Sequence, residues 1–328
     1  MKQVILIFFI GALLLFAGCS SETTTSTQTE LIKVKIASLP VVQGLPVYLA
    51  YEKGYFKDAG LDVELVKIDA PNLIIDALLS GQIDMTSPSG ALGIAGIANH
   101  KNPGKIKVYA VAGGTKEAPT ANILVSPNST IKSIADLKWK KFGILAGTIQ
   151  WRTIVRHILA ENGLDMNKDV IIVELAPGLQ AQALASRQID ALIALEPIST
   201  IIQEKRIGKI IVPGPSEDII ADPFYAGAGI VRVDFAKANP QTTKKVIGVI
   251  NKAIDEIEKD PQDARKYLKG YTPLTDDVIV NVPMPIFKVC EELNEKDIDA
   301  INSFYEIFTL YGVVEGRINI DNLLYCEV

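Results

Sequence analysis

The stretch "ALLSGQIDM" (Ala77 to Met85) returns later as "ALASRQIDA" (Ala183 to Ala191). In each copy an apolar helical run meets Ser, then Gly or Arg, then Gln-Ile-Asp opening a second apolar run. A helix that stops and turns at once into a strand is an αβ corner. Two copies predict the same corner in each of two doubly wound lobes. The length agrees: 328 residues suit two domains of roughly 100–200 residues better than one.

The residues around the corners alternate between strand and helix patterns. "KVKIAS" (Lys33 to Ser38) repeats polar and apolar at period two and reads as a strand. "PVYLAYEKGYFKDAG" (Pro46 to Gly60) opens with Pro at a first helical position and closes with Gly. The strand "LDVELVKI", the helix "PNLIIDALLSG", the strand "IDMTS", the helix "GALGIAGIANH" and the strand "KVYAVAG" follow. This βαβαβαβ order implies a parallel sheet with helices on both faces. The pattern restarts at "ANILVS": strand 141–145, helix 150–161, strand 170–175, helix "LQAQALASRQ" and strand "IDALIA".

Charge and rare residues exclude several functions. Lys+Arg 33 against Asp+Glu 38 gives −5 with no basic block, which argues against a nucleic-acid surface. The two histidines, His100 and His157, sit in no zinc-ligand spacing, and neither a metal nor a cofactor is expected. Cys290 and Cys326 could pair in an oxidising exterior, but sequence alone cannot place their Cα atoms, and the reading leans towards two unpaired, partly buried thiols.

The first thirty residues have their own logic. Lys2 precedes the apolar run Val4 to Gly18, about 22 Å of helix at ~1.5 Å per residue and short of a bilayer span. A cationic start, an apolar core and small residues before a cut site read as a signal peptide over residues 1–18. "LFAGCS" resembles a lipoprotein processing site, with Cys19 as the lipidated residue. Residues 19–30, "CSSETTTSTQTE", hold no large apolar side chain and read as a lipid-anchored flexible tether.

"AYEKGYFKDAGLDVELV" (Ala50 to Val66), "ALLSGQIDM", "ENGLDMNKDV" (Glu161 to Val170), "ALASRQIDALIALEP" and "NPQTTKKVIGVINKAIDEIEKDPQDA" (Asn239 to Ala264) occur in that order. As a series they resemble the ABC-importer solute-binding proteins of the nitrate/sulfonate/bicarbonate, taurine and thiamine-precursor superfamily. The similarity extends over nearly all of Leu31 to Leu324. It implies a periplasmic-binding-protein fold whose chain crosses between lobes twice, near Gly113–Ala118 and near Ala221–Tyr225. Lobe one would be residues 31–114 and 222–328, and lobe two 115–221. "GRINIDNLL" (Gly316 to Leu324) would pack back on lobe one. Arg187 departs from the pattern, since the first copy carries Gly81 there. If that helix end is left-handed, Arg costs about 1 kcal/mol relative to Gly.

Ligands of such sheets bind outside the carboxyl ends of the strands, where five loops fall. Ser38 and Gln43 could donate hydrogen bonds from the first. Asn72 is either a ligand contact or an N-cap. Ser87, Ser89 and Gly90 stand at a helix start that suits an anion. Thr148 is a cap or ligand donor, Gln150 follows it, and Trp151 either stacks on a ligand or belongs to the core. Glu196 ends a buried strand and would accept from the ligand or from the hinge backbone. Arg152 is the sole arginine near these loops, so an anion reading rests on helix ends and hydroxyls, and a neutral heterocycle stays open.

These residues assemble no nucleophile–base arrangement. The expectation is therefore a monomeric, non-enzymatic receptor, lipid-anchored outside the cytoplasm. It would close two lobes on a small anion or a pyrimidine-like compound and deliver it to a permease with ATPase subunits. The alternative is an enzyme on the same fold, as in pyrimidine or menaquinone biosynthesis.

Overall fold

The structure, a computed structural model, describes residues 31–326. Residues 1–18, expected to be a signal peptide, and residues 19–30, expected to be a tether anchored at Cys19, lie outside the described residues. In chain order the strands are β1 (Ile32–Ser38), β2 (Leu61–Lys67), β3 (Met85–Thr86), β4 (Gly90–Ala91) and β5 (Ile106–Gly114). Then come β6 (Ala121–Val125), β7 (Lys141–Leu145), β8 (Ile171–Leu175), β9 (Ala191–Leu195) and β10 (Lys209–Pro213), followed by β11 (Phe224–Arg232) and β12 (Ile286–Val289). They form two sheets, ordered β12-β5-β11-β3-β1-β2, with β4 on β11, and β10-β6-β9-β7-β8. The chain leaves the first sheet after β5, builds the second from β6 to β10, and returns in β11.

Both sheets are mixed rather than wholly parallel. β1 runs parallel to β2 and β3, but β11 lies antiparallel between β3 and β5. The returning strand is supplied from far along the chain, so no local pattern could show where it inserts. In the second sheet β7 is parallel to β8 and β9, while β6 is antiparallel to β9.

The two repeated phrases form matching corners. The helices Pro71–Leu79 and Pro177–Ala185 end at left-handed residues, Gly81 at φ 76° and Arg187 at φ 58°. Gln82 and Gln188 donate their backbone N–H groups to Ala77 and Ala183 carbonyls at 2.9 and 3.0 Å. Asp84 and Asp190 then tie the corner to the neighbouring strand. Their carboxylates accept from the Lys35 and Lys141 N–H groups at 2.9 and 2.8 Å. Their own N–H groups donate to the same residues' carbonyls at 3.0 and 2.9 Å. Ile83 and Ile189 are buried beneath each corner. The Gln-Ile-Asp phrase is thus a splice that satisfies a helix end and a strand edge together.

Burial follows the layers. The helix Pro240–Lys259 lays Val246, Ile250, Ile254 and Ile257 against one face of the first sheet. Leu124, Leu184, Leu192 and Ile202 fill a smaller core on the second sheet. A third apolar cluster runs across both lobes, joining Ile74, Leu92, Trp151, Ile154, Phe304 and Phe308.

Cys290 and Cys326 are disulfide-bonded, with Cα atoms 5.1 Å apart, which corrects the expectation of free thiols. The C-terminal segment lies beside β5: the Val108 N–H donates to the Leu323 carbonyl at 2.7 Å, and the Tyr325 N–H to the Val108 carbonyl at 2.8 Å. β12 flanks the same strand, so the sheet brings Cys326 to Cys290. Sequence spacing carries no trace of that proximity.

Candidate functional site

The loops named from the sequence meet between the lobes. On the first wall, Ser38 ends β1, and Ser87 and Ser89 lie between β3 and β4. Their hydroxyls bond one another: Ser87 to Ser38 at 2.9 Å, Ser87 to Ser89 at 2.6 Å and Ser38 to Ser89 at 3.3 Å. The Ser38 hydroxyl also meets the Tyr48 hydroxyl at 2.7 Å, which donates to the Leu39 carbonyl at 2.8 Å. Burial pushes the Tyr48 phenol up to about 12, with the Ser38 bond opposing, so it stays a neutral donor. Ser89 accepts from the Leu39 N–H at 2.9 Å. Gly90 presses on β11, where an added Cβ would come within 2.6 Å of the Ala228 carbonyl. These side chains hold the loops to each other.

Asn72 is the second residue of its helix, and Ala70 occupies the N-cap without any side-chain bond, so the capping role does not apply. Its Oδ1 is buried without a hydrogen-bond partner and faces Gly147 of the second lobe, where an added Cβ would lie 3.6 Å from it.

On the second wall, Thr148 caps the helix Ile149–Glu161, accepting from the Trp151 N–H at 3.4 Å. Trp151 is 2% exposed and packs in the cluster shared by both lobes. Gln150 spans the gap between the lobes. Its Oε1 accepts from the Gly93 N–H at 2.7 Å, and its Nε2 donates to the Ala226 carbonyl at 3.2 Å. Gly93 is what permits the approach, since a Cβ there would fall 2.8 Å from Gln150 Oε1. Arg152 is paired with Glu174 at 2.9 Å, and the other Glu174 oxygen accepts from the Gly147 N–H at 3.2 Å.

Glu196 follows β9 and is 3% exposed. One oxygen accepts from Asn122 Nδ2 at 3.3 Å, the other from the Thr200 N–H and hydroxyl at 3.1 and 2.7 Å. Burial raises its carboxyl above the ordinary range against the pull of Thr200, Ser199 and Asn122. Gln43 and Thr120 join Glu196, Met284 and neighbouring prolines around a narrow gap between the lobes that leaves no room for a water molecule. Gln43 Oε1 is buried there without a partner.

Sequence reasoning missed Thr120, Asn122, Met284 and above all Glu217. The Glu217 carboxylate takes the Thr120 N–H and hydroxyl at 3.0 and 3.2 Å, joining the two crossover segments. It is 1% exposed, and burial pushes it up to about 7, with Asp222 adding repulsion. In "GPSEDII" it reads as an ordinary acidic residue in a helix's first turn. Only the fold wraps it between the crossovers.

Known proteins agree in shape. The alkanesulfonate-binding protein SsuA from Xanthomonas axonopodis pv. citri, solved bound to MOPS, matches with a TM-score of 0.72 and 19% identity, over 90% of this chain and 99% of that one. The fold is the periplasmic-binding-protein fold, two doubly wound lobes joined by two crossover segments. In sequence, the putative aliphatic sulfonates-binding protein of Bacillus subtilis (strain 168) is 28% identical over 296 residues, covering 88% of this chain and 83% of that protein. The 4-amino-5-hydroxymethyl-2-methylpyrimidine phosphate synthase THI11 of Saccharomyces cerevisiae is 25% identical over 245 residues, 71% of this chain and 69% of the synthase. The model of the family described as NMT1/THI5 like matches residues 42–264, well over half of the sequence, and this chain belongs to that family.

Proposed function

We propose that this protein is an extracytoplasmic solute-binding lipoprotein of an ABC importer. Lobe one, taken as residues 31–114 and 222–328, and lobe two, 115–221, close on a small molecule. The loaded protein, a monomer held at the membrane through Cys19, presents it to a permease driven by ATPase subunits. One observation carries the reading: Gln43 from one lobe and Glu196 from the other line the same narrow gap between the lobes. A solute taken up where these walls part would be desolvated by both lobes at once as they close on it, which is how binding free energy favours a closed state. The Bacillus relative, whose name assigns it a sulfonate ligand, supports a receptor role. The synthase relative represents the enzymatic alternative. Against it, His100 bonds the Glu315 carbonyl at 2.7 Å and His157 the Tyr311 hydroxyl at 3.2 Å, so neither serves the cleft.

The test is mass spectrometry of the small molecule retained by purified protein, followed by X-ray scattering with and without it. A smaller radius of gyration on adding the solute is expected; identical curves at saturation defeat the receptor reading. Cys19→Ala should abolish incorporation of labelled fatty acid, and an unlabelled wild-type protein defeats the anchor.

A further inference from the structure

Residues 137–140 form a tight turn ahead of β7. Lys138 stands at φ −56° and ψ 124°, Trp139 at φ 64°, and the Lys140 N–H closes the turn on the Leu137 carbonyl at 2.9 Å. This is a type II turn, whose third position needs positive φ and ordinarily takes Gly or Asn. Here it carries Trp139, whose Cβ strains the left-handed backbone. The turn is pinned from one side: the Trp139 N–H donates to the Asp169 carbonyl at 2.6 Å, and Lys138 pairs with the Asp169 carboxylate at 3.5 Å. The strain gains no internal packing. The indole is 67% exposed and belongs to none of the three apolar clusters. A strained residue that its surroundings hold in place points to a use beyond folding.

The turn lies where β7 begins, at the end of the second sheet away from the cleft loops. β8 and β9 flank β7 in parallel, so their starts lie beside it. Ile171, which opens β8, is 52% exposed and donates its N–H to the Lys140 carbonyl at 2.9 Å. Lys140 and Lys141 follow Trp139, and Arg187 is exposed at the corner leading into β9. Among the described residues these three cations enter no ion pair. The acids nearby are engaged, Asp169 by Lys138, Asp165 by Lys168 and Asp190 by the Lys141 N–H. Indole rings rest at the membrane–water interface, and Lys and Arg are drawn to anionic headgroups.

We propose that this turn is a lipid contact: Trp139 enters the headgroup layer of an anionic membrane, with Lys140, Lys141 and Arg187 beside it on the phosphates. The occupant rests on the lipid-anchor reading above, which keeps the molecule at a membrane surface. Tethered through residue 31 in lobe one and seated by the turn in lobe two, the receptor is held at two separate points. Its cleft is thereby oriented before it meets the permease.

The chain carries its own probe. It has two tryptophans, and Trp151 is 2% exposed, so a change in emission on meeting lipid reports Trp139. The test adds full-length protein to vesicles of phosphatidylcholine alone and of an equal mixture with phosphatidylglycerol. The mixed vesicles are expected to shift the emission to shorter wavelength and shield it from acrylamide. Trp139→Gly should abolish both effects without lowering the melting temperature, since glycine suits the third position of the turn. Lys140→Glu should weaken binding to the mixed vesicles about fivefold or more. An unchanged emission maximum overturns the proposal, as does a shift that needs no phosphatidylglycerol or survives in Trp139→Gly. Flotation judges the anchor separately. Protein that floats with phosphatidylcholine alone but shows no shift overturns the lipid contact and keeps the anchor; protein that floats and shifts only with the mixture keeps the contact and overturns the anchor.

Discussion

Glu217→Gln isolates a buried charge at the crossovers. The wild-type carboxyl sits near 7 in the folded protein against an ordinary value of 4.5, because burial outweighs the hydrogen bonds from Thr120 while Asp222 repels the charged form. The folded state therefore holds this proton more tightly than the unfolded state. Stability from this group is complete below the ordinary value, falls as pH rises from 4.5 towards about 7, and is flat above. At about 1.4 kcal/mol per pH unit across that window, the fully ionised carboxylate costs about 3 kcal/mol as an upper bound. Glutamine keeps an oxygen for the Thr120 N–H and hydroxyl and cannot ionise, so it mimics the protonated acid. Urea unfolding at constant ionic strength should show the variant matching wild type at pH 4 and exceeding it by about 2–3 kcal/mol at pH 8. Other raised carboxyls, Glu196 and Glu258 among them, contribute to both proteins and cancel in the difference. Parallel stability–pH curves for the two proteins would refute the reasoning: they would mean that water reaches Glu217 or that the crossovers relax around its charge.

Arg187→Gly should stabilise the second corner by about 1 kcal/mol through relief of its left-handed backbone at φ 58°, less whatever glycine gains in the unfolded chain; a lowered melting temperature goes against it. Separating Cys290 from Cys326 by Cys290→Ser should cost about 4 kcal/mol on the chain-entropy account for a separation of 36 residues, with the melting temperature of the oxidised protein as the comparison. Gln150→Ala leaves the Gly93 N–H and the Ala226 carbonyl without their partner across the cleft, so the empty protein should populate more open conformations. An unchanged radius of gyration in scattering would show that the apolar cluster around Trp151 alone holds the lobes together.

The sequence by itself determined the local devices. Period-two and helical patterns located β1, β2, β7 and the helix Ile149–Glu161, because those patterns record which face each element buries. The repeated Gln-Ile-Asp phrase disclosed both αβ corners, since the hydrogen bonds common to its two copies close either within the phrase's own helix or at the start of one adjacent strand. It also picked out Gln43, Gln150 and Glu196 by their place in loops at strand ends. What each of these does was decided by tertiary structure alone. Gln150 reads as a candidate ligand contact, yet both ends of its amide are taken by Gly93 and Ala226, residues reached only when the lobes meet. The return of β11 between β3 and β5, the pairing of Cys290 with Cys326 and the enclosure of Glu217 all depend on contacts between residues far apart in the chain. A side chain's hydrogen-bond partners and the dielectric around its charge belong to its neighbours in space, and a linear pattern records only its neighbours along the chain.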